Sequence, residues 1–296
     1  KSITMTTKGS GSYANGFPLT NSTADLATNG AYVVIRPGTH ALTVRYWIKD
    51  YVTNVEGAIT KTYDSFKYEK NDYYDMTANI NVTDYDGSKY YMWDAQKNYW
   101  NGHEWNSANP WQPVLNNGYE AKYAQIEGSF YNNLGGGGRR YDAINSCKDL
   151  PNVNEMATYV MKGDPHWDGE KLWSAMGHLH KGGMWFKTKA SISYTYYFDS
   201  QRAPNGTDMR NNGGSVSNTP KQGTPVQTYI NRYFFVPALG YYSFGSFTNI
   251  GTGGSYWTSS AHPDDSNWAY CLTFSNSVVT LDGPDSSNGS YTMKFE

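Results

Sequence analysis

Hydrophobic and polar positions alternate one for one in the first part of the chain. In Ala41–Ile48 the residues Leu42, Val44, Tyr46 and Ile48 share one face, and Thr43, Arg45 and Trp47 the other. Met76–Thr83 repeats the pattern, with Met76, Ala78, Ile80 and Val82 inward and Thr77, Asn79, Asn81 and Thr83 outward. A period of two marks strands buried on one face. Turn residues precede the first of these strands (RPGT, Arg36–Thr39) and follow the second (DYDG, Asp84–Gly87). No helical period precedes Ser88, so residues 1–88 are expected to form an all-β sandwich.

The pattern changes from Lys89. Residues 89–113 are irregular and too rich in Trp for a flexible linker. Residues 89–146 are therefore expected to be a lead-in packed on the rest of a second domain, 89–296. Val153, Met156, Ala157, Val160 and Met161 then recur at helical spacing. Asn152 is the N-cap, Glu155 completes a capping box, and Gly163 and Pro165 stop the helix. A shorter helix is expected from Asp168 as N-cap through Leu172, Trp173 and Met176 to Gly177. Ile192–Phe198 alternates like a strand. Residues 199–228 have almost no aliphatic content, and a loop of that length is usually functional or disordered. Tyr233–Ser243 re-enters the core, and short strands with Gly, Pro, Asp and Asn turns run to the end. The second domain reads as α+β.

Composition sharpens this picture. The 296 residues suit one large or two ordinary domains. Charged residues make up only 17% while aromatics reach 16%, with 27 Tyr and 10 Trp, so the polarity comes from Asn, Ser, Thr, Gly and Tyr. Strand-and-turn proteins and sugar-binding surfaces share that composition. The net charge of −2 and the lack of a basic stripe leave no electrostatic source for nucleic-acid binding. No apolar run approaches the roughly 18 residues that span a bilayer. The chain starts at Lys1 without Met, and a leader or lipid anchor is expected to have been removed. That anchor would be the only membrane attachment.

Few residues suggest chemistry. His178 and His180 form H-x-H, but zinc wants three or four ligands and only the remote His166 could join them. Asp84–Ser88 starts like a calcium loop, yet Ala95 stands where the bidentate Glu belongs. His262–Asn267 and Asp282–Gly289 place Asp and Asn oxygens in loops. Calcium or sugar binding competes there with ordinary turn chemistry. Leu134–Tyr141 is Gly-rich but lacks the Lys-Ser/Thr of a phosphate loop. There is no nucleophile elbow, neither Cys has a His near it in sequence, and the adjacent Asp264 and Asp265 would point to opposite faces of a strand. No enzyme is expected. The aromatic display is the stronger signal, because Trp and Tyr stack on sugar C–H faces while Asn and Asp bond hydroxyls. Trp257 reads as core; Trp268 fits core or surface.

From Cys147 to Phe295 the chain resembles C-type-lectin-like domains of the Fibrobacter succinogenes major paralogous type, found in exported Bacteroidetes proteins. The matching segments are Cys147–Met156 (CKDLPNVNEM), Phe234–Phe247 (FFVPALGYYSFGSF), Tyr256–Ser260 (YWTSS) and Ser287–Phe295 (SNGSYTMKF). Lys294 stands where the family's terminal Cys is expected, so the resemblance implies a rewired Cys147–Cys271 disulfide. The E-P-N, Q-P-D and W-N-D calcium motifs of animal C-type lectins are absent, and no cofactor is implied. The N-terminal strands are similar to Bacteroidetes fimbrillin-like sandwiches.

Together these resemblances imply a fimbrillin-like β-sandwich followed by an α+β C-type-lectin-like domain. The implied protein is an exported, surface-attached adhesin or pilus-tip-like subunit at the outer membrane or in a fimbria. Its head would bind a host or microbial glycan or protein noncovalently. Expected contacts are Arg202, Asn205, Asp208, Arg210 and Asn211 in the long loop, and Asp264, Asp265, Asn267 and Trp268 in the second turn. The alternative is a structural fimbrial subunit that binds other pilus subunits by strand exchange.

Overall fold

The alternation of Ala41–Ile48 is realised in β1 (Gly38–Lys49), where Leu42, Val44 and Tyr46 are half-buried, Ile48 is buried, and Thr43, Arg45 and Trp47 are exposed. The computed structural model describes residues 2–11, 14–18, 29–78, 80–124, 127–132 and 140–296. Strand accounts for 35% and helix for 10%, so this is a β protein with few helices. It packs as two units, residues 1–48 with 58–81 and residues 49–57 with 82–296.

In the first unit β1 pairs with β2 (Glu56–Tyr68) in a two-stranded sheet. Tyr46 and Tyr63 meet through their hydroxyls at 3.2 Å, and Phe66, Tyr68 and Tyr74 pack edge to face. The expected strand Met76–Thr83 is not part of any ladder among the described residues; Asn79 lies outside them. A sandwich was expected over 1–88; the described residues up to 81 hold a single two-stranded sheet.

Among the described residues, the second unit holds two sheets. One runs β11–β10–β12–β13–β14–β7, from Ser246–Ile250, Leu239–Ser243, Gly253–Ala261, Ala269–Ser275, Val279–Asp282 and Val216–Asn218; β15 (Ser290–Tyr291) joins β12 to β4 (Tyr90–Tyr91). The other runs β3–β5–β6–β9, from Asp84–Tyr85, His166–Ala175, His178–Lys187 and Tyr233–Pro237, with β8 (Lys221–Gln222) beside β5. The β4–β15 pairing pins the two ends of this unit together.

Helix α1 (Val153–Lys162) forms as its caps require. The Asn152 side chain accepts from the backbone of Glu155, and the Glu155 carboxylate accepts from the backbone of Asn152. Its apolar face enters the main core with Trp173, Phe186, Tyr242, Tyr256 and Leu272. The β12–β13 pair is buried on both faces: Tyr256, Tyr270, Leu272 and Phe274 face that core, while Trp257, Ala269 and Cys271 face a smaller one with Trp93 and Cys147. The lead-in is sewn into this sheet. The Trp93 indole donates to Thr258 O at 3.0 Å and the Trp257 indole to Tyr91 O at 2.7 Å.

Three expectations need correction. Asp168–Gly177 is not a helix but most of β5 and its turn. The Asp168 carboxylate accepts from the backbone of Glu170 and Lys171 at a bulge, and Met176 and Gly177, both at positive φ, make the turn into β6. Ile192–Phe198 is not a strand. Thr188 caps a short helix, α2 (Lys189–Ser193), and turns follow. Cys147 and Cys271 are both free thiols, so the implied disulfide is absent. Each sulfur has another neighbour: Cys147 Sγ accepts from Asp94 N at 3.3 Å, and Cys271 Sγ lies 3.1 Å from Ser255 Oγ.

Candidate functional site

The long loop is built rather than slack. Asp208 caps a one-turn helix, α3 (Met209–Asn212). The Arg210 guanidinium donates to both Asp208 carboxylate oxygens and to Gln201 Oε1, and its side chain is only 3% exposed. Asn154 on α1 ties this pair to the core, donating to Asp208 Oδ1 at 2.8 Å and accepting from Met209 N at 3.0 Å. Asn211 also donates to Asp208. Asp208 and Arg210 therefore hold the loop and leave little to offer a ligand. Arg202 and Asn205 remain on the surface, where Asn205 accepts from Thr207 N.

The second candidate, the turn between β12 and β13, projects outward. Trp268 is 45% exposed. Its backbone is fixed: Trp268 N donates to Asp265 O, its carbonyl accepts from His262 N, and it bridges to Asp285. The indole stands edge-on to the buried His262 ring, 5.7 Å between centroids, and His262 rests on Tyr270 at 4.8 Å. Burial holds the His262 pKa below its ordinary value despite the pull of Asp264, Asp282 and Asp265. The imidazole is thus a neutral support at pH 7. Asn267 N is held by Asp265 Oδ1, and Asn267 Oδ1 accepts from the Tyr131 hydroxyl at 3.0 Å.

The two candidate segments touch. A Cβ on Gly213, at the end of α3, would stand 2.6 Å from Asp264 Oδ2. The Tyr270 hydroxyl lies 3.2 Å from Met209 O and 3.1 Å from Gly214 O. The result is one face with an exposed indole whose backbone is held by Asp265 and Asp285, with Asp264 and Asn267 in the same turn, Tyr131 bonded to Asn267, and Phe130 exposed beside Tyr131. Sequence reasoning missed Phe130 and Tyr131. The signal was two consecutive aromatics among Gly, Ser and Asn, which local alternation does not detect.

The remaining candidates go to structural partners. Trp257 is fully buried. His178 Nδ1 lies 3.1 Å from Asp50 Oδ2, His180 is buried and stacked on Trp173, and His166 faces Asp164. Asp86 in the DYDGS segment accepts from Ser88 N and Ser88 Oγ, an ordinary turn. The Gly-rich run lies outside the described residues except for Arg140 and Tyr141; Arg140 pairs with Asp142. Among the described residues no group of three or more His, Cys, Asp or Glu is placed to hold a metal, and no helix is long and apolar enough to cross a membrane.

Comparison with known proteins finds no matching family model, no matching curated protein and no matching solved structure.

Proposed function

We propose that the chain is a noncovalent binding protein, an exported surface adhesin whose second unit takes a neutral glycan on the Trp268 face. The observation that carries this reading is the half-exposed indole on a backbone fixed by three contacts. An exposed Trp is a stacking surface for the C–H face of a sugar ring, and its rigid mount lowers the ordering cost of binding. Asp264, Asp265, Asp285 and Asn267 supply acceptors for the hydroxyls around it. Their charge disfavours sialylated or sulfated ligands at this face.

The sulfur chemistry disfavours one class of catalysis, that of a cysteine nucleophile. Burial drives the Cys147 thiol far above its ordinary pKa and pushes Cys271 up to about 12, so neither is a thiolate nucleophile at pH 7. A glycan array with the intact chain and with Trp268→Ala tests the proposal. The intact chain should bind a set of neutral glycans that the variant loses. Equal profiles for the two proteins would reject this face.

A second reading, a structural subunit assembled by strand exchange, is favoured by one feature. Among the described residues, β1 and β2 pair only with each other, leaving each a long edge open to strand addition.

A further inference from the structure

A cluster of three lysines lies around the C-terminal end of α1, away from the Trp268 face. There a wide-open pocket of about 390 Å³ is lined by Met161, Lys162, Asp164, Lys187, Tyr196 and Lys221, among others. Its volume is at the small end of ligand sites, enough for a single sugar ring. The three lysines come from three separate elements, α1, β6 and β8.

One carboxylate serves this cluster. Asp164 accepts from Lys221 Nζ at 2.7 Å and from the Tyr233 hydroxyl at 2.7 Å, and Lys187 Nζ lies 3.5 Å away. Burial opposes the Asp164 charge, but Lys221, Tyr233 and Lys187 outweigh it and bring the pKa down to about 2. Asp164 is therefore ionised at pH 7 and offsets one of three positive charges. Lys162 has no acidic partner among the described residues; its ammonium sits 4.6 Å over the Tyr196 ring. Each ammonium carries three donors, more than one carboxylate can satisfy. Asp164 also holds a positive φ of 47°, which Asp tolerates better than most residues. The cavity thus has surplus positive charge and spare donors, with a half-exposed aromatic ring on its rim.

We propose that this cavity binds the oxyanion of an acidic sugar, a carboxylate or a sulfate, with Lys162, Lys187 and Lys221 as donors and Tyr196 against the ring. It is separate from the Trp268 face in residues and in charge. A chain carrying both could hold neutral and acidic residues of its ligands at distinct places.

The test is titration of the intact chain with glucuronate, glucose 6-sulfate and glucose, followed by NMR. Glucuronate, glucose 6-sulfate or both should bind at millimolar concentration, more weakly as salt rises. Glucose should not compete. Which acidic probe binds tells carboxylate from sulfate recognition. Lys162→Gln and Lys221→Gln should each weaken binding by about threefold or more. Trp268→Ala should leave it unchanged. Lys221 is exposed, so its variant tests the site even where another variant misfolds. Glucose binding that shifts the resonances of this cavity as the acids do, failure of both acids to bind, or full affinity in folded Lys221→Gln would overturn the proposal.

Discussion

Arg210 Nε and one Nη each lie 2.8 Å from an oxygen of Asp208, a two-pronged ion pair with the arginine almost wholly buried. The pair closes a loop with few aliphatic side chains, where it adds to the anchorage that the buried Ala203 and Met209 give. Asp208→Ala would leave the guanidinium buried without its partner. We expect a loss of about 2 kcal/mol, below the value for a fully buried pair because Asp208 is partly exposed. Arg202→Ala and Asn205→Ala should stay within about 0.5 kcal/mol of the parent. Urea denaturation measures all three.

The free thiols make a second prediction. Cys147 and Cys271 are buried and unbonded. A thiol reagent should modify neither in the folded protein and both after unfolding without reductant. Unfolded protein with no titratable thiol would establish the disulfide instead.

A third prediction concerns pH. His180 is buried against Trp173 at 4.8 Å, and its pKa falls to about 4 through burial and then the nearby His178. Unfolded, the same imidazole titrates near 6.5. Between these values the unfolded chain binds the extra proton, so stability falls as pH drops from about 6.5 toward 4. His180→Phe should flatten that part of the stability curve. Asp164 and Asp208, both lowered to about 2, act further down: their contribution is complete above about 4 and is lost as pH falls through 2. Thermal melts across about pH 1.5–8 separate the two windows.

Asp94 is a fourth target. Fully buried, its carboxylate accepts from the backbone of Ile144, Asn145 and Cys147 and from Asn132 Nδ2. Asp94→Ala strands those donors and should cost about 3 kcal/mol or more, read by the same denaturation.

These features were unevenly legible in the sequence. The capping box at Asn152 and Glu155 is local, and the helix formed as read. Asp168 and Gly177 carry equally good cap signals, but the structure uses them for a bulge and a turn. Cap chemistry alone does not tell a helix end from a hairpin, and cross-strand pairing with β6 decided it. In the long loop Asp208 and Arg210 looked like ligand contacts because exposure cannot be read from residue type. Asn154, 54 residues away, is what commits Asp208 to the core. The Trp268 turn was legible as a turn with an undecided Trp. Its neighbour Tyr131 was not, since only folding brings it to Asn267.

Saturation-transfer NMR with neutral oligosaccharides chosen from the array, on the intact chain and on Trp268→Ala, tests the central claim most directly. Transfer to sugar ring protons should be seen with the intact chain and should vanish in the variant, while the indole N–H of Trp268 shifts on titration. Undiminished transfer to Trp268→Ala, or a Trp268 resonance unmoved by a bound sugar, would contradict it.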